Sequence, residues 1–249
     1  MKTLIIIPSR LSATRLPGKP LLKINGLSII SHVFKKAEKA NIGEVVVATE
    51  DLEIMDDVKK NGGQAILTEK NHKTGTDRIY EALQKLDYKN IDLIMNLQGD
   101  EPLILGSQIL TLADSFKKGH QMATLATPFT ETEAFYNPNE VKVVCSLKGN
   151  ALYFSRSPIP YARASKGKVS TDWLLQNRCY KHIGLYGYSA EFLRSISRMR
   201  RGQLEAIESL EQLRVLENGH SIYVGISNEE TIGIDTIEDV ENFKAYLAS

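Results

Sequence analysis

Arg10, Arg15 and Lys19 follow directly on the apolar run "LIIIP", and Pro8, Pro17, Gly18 and Pro20 stiffen or bend the backbone around them. Three cations on one short loop, in a chain whose net charge is only +1, suit a concentrated anion such as phosphate. In open α/β folds the loop after a parallel strand is where ligands bind. Backbone N–H groups around Arg10, with Lys19 and the arginines as counter-charges, would suit a triphosphate whose leaving group gains charge during reaction. Unrelated solvated charges are the plain alternative for a loop of this kind. The stretch "ATRLPGKP" is no Walker motif, because Ala13 takes the first glycine position and Pro20 that of the magnesium-binding Ser or Thr. No G-x-G-x-x-G follows a strand either, so a dinucleotide site lacks support.

Asp100 and Glu101 in "NLQGDEP" come just after the strand-like "DLIM". Gly99 there would let a ligand approach the backbone. A carboxylate at a sheet edge suits Mg²⁺, which commonly takes one or two carboxylates plus substrate phosphates. Taken alone, the stretch reads equally as a turn. Asp235 in "GIDTIED" lies between a strand-like run and a helix start, where a carboxylate is ordinarily a cap. Together, two aspartates on two strand ends facing a cationic loop would make a metal–triphosphate site fit for phosphoryl or nucleotidyl transfer.

"KTGTDR" places Thr74, Gly75 and Thr76 before Arg78, just inside a predicted helix with Thr76 as its cap. Exposed backbone at such a turn could read a base edge. His182, Tyr186 and Tyr188 share one face of a strand-like run, where aromatic residues more often fill a core. Arg156 and Arg163 flank "SPIPYA" and could hold a carboxylate or remain surface arginines.

The elements that must position these residues alternate through the first half. The strand-like "TLIII", "EVVVAT", "QAIL", "DLIMNL" and "MATLAT" are separated by helix-period segments such as "LSIISHVFKKAEKA", "DRIYEALQKL" and "SQILTLADSFKKG". This predicts an α/β fold, a mostly parallel sheet flanked by helices. Ile30, Val33, Phe34 and Ala37 make one apolar face; Ile109, Leu112, Ala113 and Phe116 make another, with Ser107 as cap and Gly119 as stop. From about residue 130 the rhythm changes. "VKVVCS" and "ALYFSRSPIPYA" read as strands, "RASKGKVSTDWLLQNR" has little periodicity, and "CYKHIGLYGYS" alternates again. We expect a single domain whose nucleotide-binding core is residues 1–128 and 219–249, with residues 129–218 as a smaller inserted lid or dimerisation region. "QLEAIESLEQLRVLENG" predicts one long helix ending at Gly219, its Leu204, Ile207, Leu210 and Leu213 forming a core face in preference to a dimer seam. "TIGID" predicts a strand and "TIEDVENFKAYLA" a helix opened by Thr236 and Asp239 in capping-box spacing.

At 249 residues the chain is long enough for a full core. Balanced charge argues against nucleic acid or an anionic membrane as partner, and no apolar run reaches membrane-spanning length. Only Cys145 and Cys179 occur, far apart, suggesting neither a disulfide framework nor a thiolate metal site. A cytoplasmic protein is expected.

"IIPSRLSATRLPGKPL", "TGTDR", "NLQGDEP", "YFSRSPIPY", "KHIGLYGY", "IESLEQLR" and "GIDTIEDVE", in this order across nearly the whole chain, closely resemble the 3-deoxy-manno-octulosonate cytidylyltransferases (CMP-Kdo synthetases). The resemblance implies a Rossmann-like nucleotidyltransferase fold and a magnesium-dependent reaction of CTP with Kdo, an acidic eight-carbon sugar. The products would be CMP-Kdo and pyrophosphate, for lipopolysaccharide synthesis in the bacterial cytoplasm by a homodimer. It implies that Pro8, Ser9, Arg10, Arg15 and Lys19 bind the nucleotide's phosphates, that Thr74, Gly75, Thr76 and Arg78 border the cytosine, and that Gln98 and Gly99 line the nucleotide, Gln98 bridging to the sugar. Asp100 and Asp235 would hold Mg²⁺ and, with Arg10 and Lys19, form the catalytic set. His182, Tyr186, Glu211 and Gln212 would bind the sugar, with Arg156 or Arg163 at its carboxylate. Ile237 stands where the family commonly has proline, a position that bears no ligand. CMP activation of 8-amino-Kdo or sialic acid is the nearest alternative, and a non-catalytic nucleotide-binding regulator a more distant one.

Overall fold

A computed structural model of the chain describes all residues except 13–15, 71, 73, 89, 231–232, 235 and 249. The first half runs β1 (Thr3–Ser9), β2 (Lys23–Ile24), β3 (Leu27–Ser28), α1 (Ile29–Lys39), β4 (Glu44–Thr49), α2 (Leu52–Lys60), β5 (Ala65–Leu67), α3 (Gly75–Leu86), β6 (Leu93–Asn96), α4 (Gly106–Phe116) and β7 (Met122–Pro128). The remainder comprises α5 (Thr132–Tyr136), β8 (Lys142–Cys145), β9 (Ala151–Ser155), α6 (Thr171–Gln176), β10 (Tyr180–Tyr188), α7 (Ala190–Ile196), α8 (Gln203–Glu208), α9 (Leu213–Glu217), β11 (Tyr223–Ile226) and α10 (Ile237–Ala248).

The main sheet has the order β11-β7-β10-β6-β1-β4-β5, with β8 and β9 joined to β10 at its side. The pairings β1–β4, β1–β6, β4–β5 and β7–β11 are parallel; only β10 runs antiparallel between β6 and β7 in that path. The continuous apolar run of β1 is explained by cover on both faces. Ile5 and Ile7 pack with Val33 and Phe34 of α1, whereas Leu4 and Ile6 pack into a second cluster that includes Ile79 of α3 and Phe192 of α7. Strand parity thus sends alternate residues to opposite layers.

Several local expectations change. Thr74, not Thr76, caps α3, its hydroxyl accepting from Asp77 N at 3.2 Å. Gln108 caps α4 by accepting from Leu105 N at 3.1 Å, while Ser107 donates to Glu229 at 2.5 Å. The strand predicted through residue 162 ends at Ser155, and Gly233 and Ile234 of the predicted "TIGID" strand are irregular. The predicted long helix is two short ones, α8 and α9, parted at Ser209, which adopts φ 52°. Leu210 and Leu213 are buried, but Leu204 and Ile207 are exposed, so the three-residue leucine spacing does not make one core face. The reciprocal Thr236–Asp239 box is present: Thr236 N donates to Asp239 Oδ2 at 2.8 Å and Asp239 N to Thr236 Oγ1 at 3.2 Å.

Candidate active site

The parallel register Ile6↔Asn96 brings the carboxyl ends of β1 and β6 side by side, so the loops starting at Ser9 and Leu97 meet. Gly99 makes the close approach possible. A Cβ there would lie 3.0 Å from Pro8 O and 3.2 Å from Ile30 Cδ1. Gly18, at φ 69°, opens the short 3₁₀ turn Lys19–Leu21. That turn holds Lys19 nearly buried, with Nζ donating to Asp100 Oδ2 at 2.7 Å and to Ile234 O at 2.6 Å. Ile234 N in turn donates to Asp100 O at 2.8 Å. Segments 81 and 215 residues apart in sequence therefore converge on one ammonium group. Arg10 is exposed at the end of β1, while Arg15 and Asp235 lie outside the described residues.

Beside this edge is a cavity of about 240 Å³, bordered by Gly75 and Thr76 of α3, Gln98, Tyr186 and Tyr188 of β10, and Glu211 and Gln212 among others. Thr74's cap leaves the first turn of a twelve-residue helix facing it. A Cβ on Gly75 would stand 3.6 Å from Pro8 Cγ, ordinary contact, so its bareness widens the opening without being forced. Arg78 does not line this cavity. Its guanidinium donates to Glu50 Oε2 at 2.5 Å and Thr68 Oγ1 at 2.6 Å, tying α3 to the chain beyond β4 and β5.

A β-bulge in β10 shapes the opposite wall. Ile183 pairs with Leu125 but Tyr186 with Thr124, so two extra residues, Gly184 and Leu185, are accommodated. An even insertion preserves parity, and His182, Tyr186 and Tyr188 stay on one side, their rings 5.3 Å and 6.2 Å apart in sequence. Thr124 Oγ1 lies 3.1 Å from Ile183 O and 2.9 Å from Leu185 O, and 2.9 Å from His182 Nε2. Its one proton is required by the carbonyls, since two unscreened O···O contacts would repel. Thr124 must therefore accept from His182 Nε2–H, which leaves Nδ1 as an acceptor. Burial pushes His182 down to about 3, keeping the ring neutral, and pushes the Tyr186 and Tyr188 hydroxyls upward. Gly184 lets Gln98 and Glu101 approach: a Cβ there would lie 3.4 Å from Gln98 Cγ and 3.1 Å from Glu101 Oε1. Gln98 Nε2 also reaches Gly184 O at 3.4 Å.

Burial, followed by the charge of Asp100, pushes Glu101 up to about 8, with Lys181 opposing. Burial also raises Glu211, against the hydroxyls of Thr76 and Thr74 and the charge of Arg214. Four buried side-chain polar atoms of the described residues lack a hydrogen-bond partner, namely Ser9 Oγ, Asn96 Oδ1, Glu101 Oε2 and Glu211 Oε1. All four belong to the loops and walls just described. Since each such group costs about 1–3 kcal/mol, their concentration at one sheet edge marks a surface built to be completed by a polar ligand.

Arg156 and Arg163 are not brought to this cavity. Arg156 donates to Glu208 O at 2.8 Å and Pro138 O at 3.1 Å, bracing β9 against α8, and Arg163 is exposed. Conversely, Asn96, Met122, Ile196 and Val215 line the cavity without having been singled out, and Thr124 and Gly184 support its wall. "GLYG" offered a signal for the bulge, because glycine inside a strand marks such sites. Asn96 offered another, as the polar end of an apolar strand. Among the described residues no group of three or more His, Cys, Asp or Glu converges as a metal cluster. Asp100 does offer a partly exposed carboxylate beside Lys19, hard oxygen chemistry of the kind Mg²⁺ uses with substrate phosphates. Cys145 and Cys179 are free thiols, each raised to about 11 by burial and so unreactive.

Residues 4–222 match the family described as Cytidylyltransferase. The chain is 48% identical to the 3-deoxy-manno-octulosonate cytidylyltransferase of Parabacteroides distasonis, covering 100% of this chain and 99% of that protein. It is 47% identical to the enzyme of the same name from Fusobacterium nucleatum, over 99% and 97%. Among solved structures, a CMP:2-keto-3-deoxy-manno-octonic acid synthetase complexed with CTP superposes with TM-score 0.89 at 38% identity, over 100% and 99% of the two chains. A 4-diphosphocytidyl-2C-methyl-D-erythritol synthase from Anaerococcus prevotii shares the fold, with TM-score 0.66 at 13% identity over 100% and 99%.

Proposed function

The chain belongs to the cytidylyltransferase family, and from that premise we propose that it transfers the cytidylyl group of CTP to Kdo, giving CMP-Kdo and pyrophosphate. The observation that carries the reading is the set of unpartnered buried polar atoms: those of Asn96 and Glu211 line the cavity, and those of Ser9 and Glu101 belong to the adjoining strand-end loops that carry the Lys19–Asp100 pair. A nucleotide and a polyhydroxylated sugar acid together present the donors and acceptors such a surface lacks.

In the reaction the anomeric hydroxyl oxygen of Kdo attacks the α-phosphorus, the bond to the bridging oxygen of pyrophosphate breaks, and the hydroxyl proton passes to solvent. Arg10, Arg15 and Lys19, with the backbone at Pro8 and Ser9, hold the triphosphate; Lys19 is the cation best fixed to meet the charge growing on the leaving group. Thr74, Gly75 and Thr76 border the cytosine at the start of α3, while Arg78 acts behind them as an anchor of that helix. Gln98 and Gly99 lie where nucleotide and sugar would meet. His182, Tyr186, Glu211 and Gln212 bind the sugar, and the neutral His182 offers an acceptor to a hydroxyl. Asp100 fits a magnesium site by its donor chemistry, and we assign it that role together with Asp235. Bound there, Mg²⁺ would screen the phosphates and lower the pKa of the attacking hydroxyl. Fixing nucleophile and phosphorus together supplies the proximity the step needs. The same reading makes the chain a cytoplasmic homodimer serving lipopolysaccharide synthesis. Exposed Leu152, Tyr161 and Ile207 in the inserted region support an apolar contact there. No helix among the described residues is long and apolar enough to cross a membrane.

The test is pyrophosphate release with CTP and Mg²⁺, offering Kdo, 8-amino-Kdo and sialic acid in parallel, with UTP and metal-free controls. Kdo- and CTP-dependent release is expected. Release with another sugar acid alone would move the substrate, and CTP binding without release on any acid would overturn the enzyme reading.

A further inference from the structure

Glu211 and Gln212 reach the cavity from the break between α8 and α9. Helices of six and five residues do not hold themselves in water, so something else must fix that break. Leu210, Leu213 and Val215 anchor it in the core, and two charged contacts fix its geometry. Arg214 Nε donates to Glu205 Oε2 at 2.8 Å and its NH2 to Glu205 Oε1 at 2.7 Å, a bidentate pair with both residues buried. The Glu217 carboxylate reaches back to accept from Leu204 N at 2.9 Å and Glu205 N at 3.2 Å, satisfying amides at the start of α8. Gly202 is required for that return, because a Cβ there would fall 1.8 Å from Glu217 Oε2.

Between these contacts the chain turns through Ser209 and closes with Leu213 N to Leu210 O at 3.1 Å, Arg214 N to Glu211 O at 3.1 Å and Val215 N to Gln212 O at 3.2 Å. Arg214 is therefore bonded to Glu211 through its backbone and to α8 through its guanidinium. Arg201 approaches Glu205 Oε1 at 3.5 Å from the exposed side, a weaker contact that leaves the fork geometry to Arg214. We propose that Glu205 and Arg214 are positioning residues of the sugar pocket, a buried clamp that holds the α8–α9 turn so that Glu211 and Gln212 face the acidic sugar. The proposal rests on the sugar-acid reading of the cavity.

The test compares wild type with Glu205→Gln, whose amide offers Arg214 one acceptor in place of two and leaves the guanidinium uncompensated. A second variant, Glu205→Leu with Arg214→Met, removes both charges and keeps apolar volume, so that a folded protein without the fork is available. Hydrogen exchange is read at the amides of Leu213, Arg214 and Val215, with those of Ile5 and Val46 as controls in the sheet. Steady-state kinetics are read for each substrate. Both variants are expected to lose protection at the three turn amides while the sheet amides keep theirs. The KM for Kdo should rise at least ~10-fold, the effect of about 1.4 kcal/mol, with CTP affinity within about twofold. Glu205→Asp, which keeps the carboxylate, should restore part of the protection and of the KM. Wild-type exchange at the turn, or a Kdo KM unchanged in both variants, would overturn the clamp. Absence of Kdo turnover in the wild type would instead refute the substrate reading, and the exchange contrast would still decide whether the clamp exists.

Discussion

Replacing His182 with Gln should flatten the acid dependence of stability. The imidazole packs against Phe154 and Tyr186 at 5.1 Å and 5.3 Å between ring centres and gives its Nε2–H to Thr124 at 2.9 Å. Burial holds it down at about 3, against an ordinary value near 6.5 in the unfolded chain. The unfolded chain therefore takes up a proton on acidification that the folded protein refuses. The contribution is intact above about pH 6.5 and is lost progressively as the pH falls toward 3. At pH 5.0 the unfolded ring gains about 1.5 pH units of protonation free energy, and the wild type is weakened by about 2 kcal/mol relative to pH 7.5 through this group alone. That figure hardly changes for any folded value below about 4, because the folded ring is then neutral at pH 5.0 in every case. Gln carries an N–H to the position of Nε2 and does not titrate, at the expense of ring packing of about 1 kcal/mol. Urea unfolding at pH 7.5 and 5.0 on both proteins supplies the comparison, and subtraction cancels the titration of every other group. We expect the variant to be slightly less stable at pH 7.5 and to lose about 2 kcal/mol less than wild type on going to pH 5.0. An equal loss in the two proteins would refute the assignment of a half-buried, neutral imidazole. A larger loss in the variant would mean that His182 is held protonated, with Nδ1–H as well as Nε2–H a donor.

Asp100→Asn keeps the shape of the loop but removes the carboxylate facing Lys19, and turnover should fall at least ~10²-fold with the fold intact; near-normal turnover would remove Asp100 from the metal and charge chemistry. Lys19→Ala should lower kcat more than it weakens CTP binding, since charge grows on departing pyrophosphate, and single-turnover rates beside nucleotide titration would expose an affinity-only defect. Gly99→Ala places a methyl 3.0 Å from Pro8 O. Overpacking against backbone should cost about 1–3 kcal/mol in denaturant unfolding and, by displacing the Pro8–Arg10 loop, weaken CTP binding; wild-type values for both would mean the loop gives way freely.

Local chemistry was legible in the sequence wherever the cause was local. The apolar run of β1, the faces of α1 and α4, the Thr236–Asp239 box and the alternation of strands with helices all follow from side-chain periodicity and short-range hydrogen bonds. The polar stretches "PSR" and "QGDE" were also visible, as interruptions of that periodicity at the ends of strands, and "TGT" at a helix start. The α8–α9 break was not, because three-residue leucine spacing continues straight through it while the contacts that impose it, Glu205–Arg214 and Glu217 on the α8 amides, close over nine to thirteen residues. Arg78 and Arg156 read as ligand-facing until their guanidinium groups met Glu50 and Glu208 O. The sequence by itself determined an α/β chain with its candidate anion and metal groups on strand-end loops. Only the tertiary structure decided which of those groups face one cavity. The bulge at Gly184 sets the wall, and the sheet order sets Lys19 against Asp100 and Ile234 across 81 and 215 residues. The physical reason is that secondary structure answers to neighbours a few residues away, whereas a site answers to which strand ends and helix breaks the packed sheet brings within hydrogen-bond distance.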